Sequence, residues 1–266
     1  MRVIFLGLAL WIGAALGAVA QDGALQSLDT GQDGRGWEAV GRIDIDGKGF
    51  CTGALIRENI VLTAAHCVYD PAGRVIAAER FHFLAGFRRG RAEAYREVRR
   101  VLPHPDYIHD DRRGSDPRLI AQDLALLELA QPVRVSRIIP FPVAPQPRGG
   151  ETVGVVSYAE NRSEAPSLQN ICTVLGQQQG VMVFSCDVDP GASGSPVFRI
   201  RDGVAQVVSV VSAMAMLDDR KVALGVQLDA PLQELLLIMQ ESPGGVGQRV
   251  LVPGQRNDTG ARFVSP

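Results

Sequence analysis

Short apolar runs separated by turn-forming residues extend along the chain from Trp37 onward. Runs such as GFCTGALI and NIVLTAAHC have the length of a strand, and Gly, Asp, Asn or Pro separates them, which is typical of many strands and few helices. A second series of similar runs begins after residue 150. Because the segment 131–150 is rich in proline and ends in a Gly pair, we interpret it as a connector between two halves of an all-β protein.

The pattern changes at both ends of this β-rich region. In the segment 230–240, apolar residues stand at positions 232, 235, 236 and 239, the spacing of one helical face, so the sequence predicts a single C-terminal helix. The polar, Gly-rich segment 21–36 predicts a flexible lead-in. The segment 241–266 is rich in Gly, Pro and Arg and has little to bury, so it predicts a disordered tail.

Residues 1–20 have the organisation of a secretory signal peptide. Arg2 precedes an apolar run, and the tripeptide AVA at 18–20 gives a small-x-small cleavage pattern. The alternative is a transmembrane anchor, since the run approaches the roughly 20 residues that a span needs, but the small residues of its second half weaken that interpretation. We therefore expect a secreted or periplasmic protein with no membrane contact after signal cleavage.

The formal charge of −2 over 266 residues predicts no nucleic-acid partner. The chain has four cysteines, and an even count in an exported protein favours disulfides. Three pairings are possible, of which Cys51 with Cys67 and Cys172 with Cys186 are the local ones. Zinc bound by Cys51, His66 and Cys67 is the alternative, but an adjacent His and Cys do not easily reach one ion, and the spacing fits no common zinc pattern.

Candidate chemistry lies in three separate motifs. Acyl transfer by a serine needs a hydroxyl, a base that takes its proton and an acid that orients the base. His66, at the end of the run IVLTAAHC, is the candidate base, and Asp123, where a polar loop enters the run LALLELA, is the candidate acid. The stretch DPGASGSPV offers two hydroxyls, Ser193 and Ser195. Its glycines predict a tight turn in which the amides of Gly191 and Ser193 converge on a developing oxyanion.

Together these motifs resemble those of the chymotrypsin-like (trypsin-fold) serine peptidases. LTAAHC is similar to the family's histidine motif, DLALLEL to its aspartate motif and GASGSPV to its serine motif, and the three occur in the family's order. The resemblance runs from about Trp37 to Gln240. It implies two packed six-stranded antiparallel β-barrels, an N-terminal one at 37–135 and a C-terminal one, with the helix, at 136–240.

The resemblance also implies roles for individual residues. Ser193 becomes the nucleophile, Ser195 takes the place of a glycine, and Cys51 pairs with Cys67. The implied function is that of a serine endopeptidase that cleaves a peptide or protein substrate through an acyl-enzyme on Ser193, as a monomer and with no metal or other cofactor. We expect activity to fall on acidification, because a protonated His66 cannot accept the proton of the hydroxyl.

Two departures from the family concern activation and specificity. Ala192 stands where animal digestive enzymes have the aspartate that pairs with a newly freed N-terminal amine, so we expect activity without such an amine. The GASGSPV form is similar to the bacterial glutamyl-endopeptidase branch, but no histidine follows Ser193 to read a P1 glutamate. In the family that the motifs resemble, the residue six before the nucleophile lies at the base of the primary pocket, so the resemblance implies that Asp187 favours Arg or Lys at P1, with the nearby Asp189 as an alternative candidate.

The predicted wall of that pocket comes from a later strand. The resemblance places Ser212 to Met214 along it, and the Met214 side chain would narrow a pocket that glycine leaves open. Two other functions remain as alternatives. One is a catalytically silent peptide-binding module on the same fold, and the other is an esterase of unrelated fold, which the missing G-x-S-x-G elbow disfavours.

Overall fold

The structure is a computed structural model that describes residues 22–110 and 117–241. The predicted signal peptide (1–20) and all but the first residue of the predicted disordered tail (241–266) lie outside the described residues. Within the two described ranges, no helix has the length and apolar character needed to cross a lipid bilayer.

The first half of the chain closes into a β-barrel. The first strand of the chain, β1 (Gln26–Ser27), has two residues and is not part of this barrel. The strands of the barrel are β2 (Val40–Ile45), β3 (Gly49–Arg57), β4 (Ile60–Thr63), β5 (Phe81–Ala85), β6 (Ala94–Pro103) and β7 (Ala125–Leu129). They pair antiparallel in the order β2-β3-β4-β7-β6-β5, and β5 pairs with β2 to close the barrel. Ile43, Leu62 and Phe83 lie fully buried in its core, as expected where alternate residues of a strand face the interior.

The second half forms a second barrel. Its strands are β8 (Thr152–Ser157), β9 (Ser167–Gln178), β10 (Val181–Phe184), β11 (Pro196–Arg201), β12 (Val204–Leu217) and β13 (Arg220–Gln227). The order is β9-β10-β13-β12-β11-β8, and β8 pairs with β9 to close the barrel. Val155, Phe184 and Val208 belong to its core. The two closed six-stranded barrels confirm both the all-β prediction and the architecture that the family resemblance implied.

The C-terminal helix packs on the core of the first barrel. A single helical turn, α1 (Pro117–Ile120), lies before β7, and the longer helix α2 (Asp229–Glu241) follows β13. Leu232, Leu235 and Met239, on one face of α2, are buried in the cluster that contains the core of the first barrel. The helix predicted at 230–240 is confirmed, with one more residue at each end.

Residues 22–28, predicted as part of a flexible lead-in, instead contact the second barrel. β1 pairs antiparallel with β9, with Gln26 opposite Leu168. The side chain of Leu28 is only 1% exposed. The prediction of a loose segment is wrong here, because β9 offers backbone groups along one edge and the core offers an apolar site for Leu28.

Aromatic side chains lie where the two barrels meet. Phe141, in the connector, lies between Trp37 and Phe198, with ring centroids 6.0 and 4.6 Å away. Tyr158 is fully buried, and its hydroxyl donates to the Phe87 carbonyl of the first half at 2.8 Å. Burial raises the pKa of the Tyr158 phenol, so this group stays a proton donor. These contacts fix the two halves relative to each other.

Each barrel contains one disulfide, in the local pairing. Cys51 of β3 bonds Cys67 of a 3₁₀ turn (Ala65–Val68), and Cys172 of β9 bonds Cys186 after β10. The ligand atoms of Cys51, His66 and Cys67 lie within 4.8 Å of one another, as the zinc alternative requires. The two sulfurs are bonded to each other, however, so they are not thiolates that could bind an ion.

Candidate active site

His66 is fixed where the first barrel turns away from β4. The backbone is still extended at Ala64 (φ −82°, ψ 147°), and the 3₁₀ turn that follows carries His66 and the disulfide-bonded Cys67. The His66 side chain is 14% exposed, so it borders the surface while its neighbours Ala65 and Cys67 are buried. The local fold therefore presents one imidazole on a rigid, covalently tied turn.

Asp123 lies fully buried just before β7 and holds His66 at two points. Its Oδ1 accepts the His66 backbone N–H at 2.8 Å, and its Oδ2 lies 2.7 Å from His66 Nδ1. A carboxylate in that position makes Nδ1 the protonated nitrogen of the neutral ring, which leaves Nε2 as the acceptor. The structure therefore brings together the two residues that the sequence named as candidate base and candidate acid.

Ser212 reaches the same carboxylate from the second barrel. Its hydroxyl donates a hydrogen bond to Asp123 Oδ2. The pairing of β12 with β13 shifts register between Val211 and Ala213, so Ser212 is the extra residue of a β-bulge, a feature that re-aims side chains. The sequence placed Ser212 in the wall of a specificity pocket, but its side chain instead supports Asp123. The sequence singled out Ser212 but gave no sign of this bond, which joins residues 89 positions apart.

The loop that carries Ser193 is docked on the first barrel. The Thr52 amide of β3 donates to the Ser193 carbonyl at 2.9 Å. Gly194 has φ +80°, and a Cβ built there would lie 2.2 Å from both the Thr52 carbonyl oxygen and the Thr63 hydroxyl. Only glycine fits this approach. Since Thr63 ends β4, three residues before His66, the contact places Ser193 against the strands that carry the imidazole.

The two candidate hydroxyls differ in accessibility. Ser193 is partly exposed, whereas Ser195 is 0% exposed. Within the described part of the chain, the Ser195 hydroxyl has no hydrogen-bond partner. Only Ser193 can meet a substrate without unfolding of the loop, which agrees with the choice that the family motif implied.

The backbone of this loop leaves two amides available. Gly191 has φ +92°, and its carbonyl oxygen lies 3.4 Å from the Thr52 hydroxyl, so the carbonyl is turned toward the first barrel. Among residues 22–110 and 117–241, neither the Gly191 amide nor the Ser193 amide has an acceptor. Two unengaged N–H groups beside a partly exposed hydroxyl can donate to a developing oxyanion.

The acids of the predicted specificity pocket have basic neighbours. Lys221 Nζ lies 2.9 Å from Asp189 Oδ1 and 3.8 Å from Asp187 Oδ1. The hydrogen bond from Lys221 lowers the pKa of the Asp189 carboxyl and raises the pKa of Lys221 itself. Arg162 also faces both acids, and burial lowers its pKa. Sequence reasoning missed Lys221 and Arg162, which lie far from the acids along the chain.

Met214 is 46% exposed on β12, whereas Ser212 is buried. The predicted wall residues therefore divide into one that faces outward and one that supports Asp123. The structure thus brings His66, Asp123 and the Ser193 loop to one seam and sets Asp187 and Asp189 at the start of that loop.

The fold and these motifs agree with comparisons to known proteins. The family model described as Trypsin matches residues 30–227. The chain is 38% identical over 97 residues to chymotrypsin-like elastase family member 1 of Homo sapiens. The aligned segment covers 36% of this chain and 34% of the elastase. It is 27% identical over 197 residues to mast cell protease 3 of Ovis aries, covering 65% of this chain and 72% of that protein. The chain spans about a third or less of the length of the first relatives it matches.

A solved structure of a Glu endopeptidase in complex with MPD has the same fold. Its TM-score is 0.66 at 17% identity, and the alignment covers 84% of this chain and 99% of that chain. Fold and site together define a serine-peptidase-like double barrel. Because the family model extends over most of its length, the chain belongs to the trypsin family.

Proposed function

We propose that this protein is a serine endopeptidase that hydrolyses peptide bonds through an acyl-enzyme on Ser193. The observation that carries the proposal is the buried Asp123, which binds both the backbone and the ring of His66 at 2.8 and 2.7 Å. A carboxylate has little reason to be fully buried at that point unless it orients an imidazole. The relatives named mast cell protease 3 and chymotrypsin-like elastase family member 1 support the same reaction class.

The proposed mechanism uses only groups of this chain. His66 Nε2 accepts the proton of the Ser193 hydroxyl as Oγ attacks the peptide carbonyl. Asp123 keeps the proton on Nδ1 and stabilises the imidazolium, while the amides of Gly191 and Ser193 donate to the tetrahedral oxyanion. His66 then protonates the leaving amine, and a water molecule hydrolyses the acyl-enzyme by the same steps in reverse.

We further propose a preference for Arg or Lys at P1, read by Asp187. Asp189 is already bonded to Lys221, whereas Asp187 Oδ1 has no hydrogen bond among the described residues and is 3.8 Å from Lys221 Nζ. The carboxylate of Asp187 is therefore the one that a basic P1 side chain would contact. Lys221 competes for it, so the preference should be weaker than that of a site with an unopposed aspartate.

We propose that the protein acts outside the cytoplasm, secreted or periplasmic, after loss of residues 1–20. Two disulfides support an oxidising compartment. The substrate is then a peptide or protein met in that compartment, and we expect the protein to act as a monomer.

A fluorophosphonate probe tests the proposal, because it reacts only with an activated serine. We expect the wild-type protein to be labelled, Ser193→Ala to lose labelling, and Ser195→Ala to keep it. The last variant is the matched control, since it removes a buried hydroxyl that has no partner. A folded wild-type protein that does not react would contradict the proposal and favour a catalytically silent peptide-binding module. Cleavage of a peptide library by the unlabelled wild-type protein reports the P1 preference.

A further inference from the structure

A short N-terminal segment lies along the second barrel next to the loop that carries Ser193. We call residues 22–28 the N-terminal strap. The Gly23 amide donates to the Ile171 carbonyl at 2.8 Å, and the Leu28 amide donates to the Pro166 carbonyl at 2.9 Å. The strap therefore follows the first residues of β9, from Ile171 back to Pro166 just before the strand, and ends in the buried Leu28 side chain.

One buried glutamine joins the strap to the catalytic loop. Gln169 of β9 is 4% exposed. Its Nε2 donates to the Gly23 carbonyl at 2.8 Å, and its Oε1 accepts the Asp187 amide at 2.8 Å. The same side-chain amide thus bonds the strap on one side and the residue six before Ser193 on the other. Loss of either partner would leave a buried polar group unpaired, which is costly.

The strap also bonds the residue that precedes the disulfide-bonded Cys186. The Ser185 hydroxyl donates to Asp22 Oδ1 at 2.6 Å and accepts the Thr173 amide at 2.8 Å. Cys186 is joined to Cys172 of β9. Residues 185, 186 and 187 are therefore each bonded to a residue of β9. The strap takes part at two of these positions, because Asp22 bonds Ser185 and Gly23 bonds Gln169, the partner of Asp187.

From residue 187 the chain runs directly into the candidate oxyanion loop. The Ala192 amide donates to the Asp189 carbonyl at 3.0 Å, and the Glu160 amide donates to the Pro190 carbonyl at 2.9 Å. Ala192 has no carboxylate, so this loop cannot be ordered by an ion pair at that position. Its start must be fixed by other contacts, and Gln169 supplies one that is buried and directional.

We propose that the strap, acting through Gln169, holds residues 187–193 in the conformation that binds the oxyanion. Gln169 is then a positioning residue. This inference rests on the proposed function, because it assigns the loop a catalytic purpose. The contacts use the Gly23 carbonyl and amide and the Asp22 side chain, not a terminal amine, so residues ahead of 22 are compatible with them.

Two variants disturb the coupling from opposite sides, and each has a matched control on β9. Gln169→Leu removes both hydrogen bonds, with exposed Gln178→Leu as its control. Gly23→Val crowds the strap against β9, because even a Cβ there would lie 3.3 Å from Ile171 Cβ and 3.0 Å from Asn170 Oδ1. Gly176→Val is its control, since a Cβ at that position meets nothing within 4 Å.

The first measurement is amide hydrogen exchange of the peptide that spans 185–194, which does not depend on activity. We expect at least tenfold faster exchange there in Gln169→Leu and Gly23→Val, and no change in the two controls. The second measurement is kinetic. We expect kcat for a peptide substrate and the rate constant of fluorophosphonate labelling to fall by about tenfold in the same two variants.

The outcomes separate this inference from the proposed function. Active variants with wild-type exchange and wild-type kcat would overturn the role of Gln169 while the endopeptidase stands. The opposite result is also possible: the two variants exchange faster, but the fluorophosphonate probe does not label even the wild-type protein. That result would support the coupling between the strap and the loop and would contradict the proposed function. A fall in thermal midpoint with unchanged exchange of 185–194 and unchanged kcat would also count against the inference, because it would make the strap a purely structural element.

Discussion

At the scale of single residues, the buried carboxylate of Asp123 determines what His66 can do. A fully buried charge is costly unless donors surround it, and here the donors include the amide and ring of His66 and the hydroxyl of Ser212. The ring donor also selects the tautomer, which leaves Nε2 as the basic nitrogen. In the proposed mechanism, Asp123 therefore acts by selecting this tautomer as well as through its charge.

Asp123→Asn tests whether Asp123 matters for the tautomer of the His66 ring as well as for the position of that ring. The amide keeps the size of the side chain but can present an N–H to Nδ1, which moves the ring proton to Nε2, so we expect kcat to fall by about 10⁴-fold. Ser212→Ala removes one donor but leaves the tautomer intact, so we expect a fall of only about tenfold. Both are read from kcat with a peptide substrate. Equal losses in the two variants would contradict the tautomer argument.

At the scale of elements, the loop that carries Ser193 is positioned by close contact with β3 and β4. Gly194 lies where any side chain would overlap the Thr52 carbonyl and the Thr63 hydroxyl. The same two strands hold the disulfide partner Cys51 and lead into His66. One pair of strands in the first barrel thus contacts the Ser193 loop and leads into the turn of His66, although that loop belongs to the second half.

Gly194→Ala should separate this loop from the first barrel. Its Cβ would lie 2.2 Å from two oxygen atoms, so the loop must move, and we expect the rate of fluorophosphonate labelling to fall by more than tenfold. Gly203→Ala is the control: its φ of +76° carries the same backbone strain, but a Cβ there meets nothing within 4 Å. If both variants lose stability and neither loses labelling, strain and not docking explains the glycine.

The sequence predicts those features whose causes are local. Alternating apolar runs and turn residues predict the strands, one helical face predicts α2, and the three motifs predict which side chains carry the chemistry. The remaining features depend on contacts between distant segments. The bond from Ser212 to Asp123 joins residues 89 positions apart, and Lys221 reaches Asp189 across 32 positions. The ordered strap depends on an edge of β9 that only the closed barrel presents.

At the scale of the whole molecule, α2 links the end of the described chain back to the first barrel near Asp123. Arg100 of β6 donates to the Met239 carbonyl of α2 at 2.6 Å. His104, just after β6, is 2% exposed, and its Nε2 lies 3.6 Å from Glu234 Oε2 of α2. The His104 amide donates to the Leu124 carbonyl at 2.9 Å, so the contact with α2 lies one hydrogen bond from the residue after Asp123.

The burial of His104 should make stability depend on pH. Burial lowers the pKa of His104, and the nearby Glu234 and Asp106 oppose that shift only in part. In the unfolded chain a histidine has a pKa of about 6.5. The unfolded state therefore binds the proton more readily, and the stability present above pH 6.5 is lost as pH falls through the window between that value and the lowered pKa.

We expect the thermal midpoint of the wild-type protein to fall between pH 7.5 and pH 5.5 by more than that of His104→Asn, whose side chain cannot be protonated but can still accept the Asp106 amide as Nδ1 does at 3.3 Å. Exposed His82→Asn is the matched control and should keep the wild-type pH dependence. An unchanged pH dependence in His104→Asn would show that other groups cause the acid sensitivity. The loss on acidification comes from burying a charged imidazole, because the carboxylate of Glu234 on α2 favours the protonated form and offsets only part of that cost.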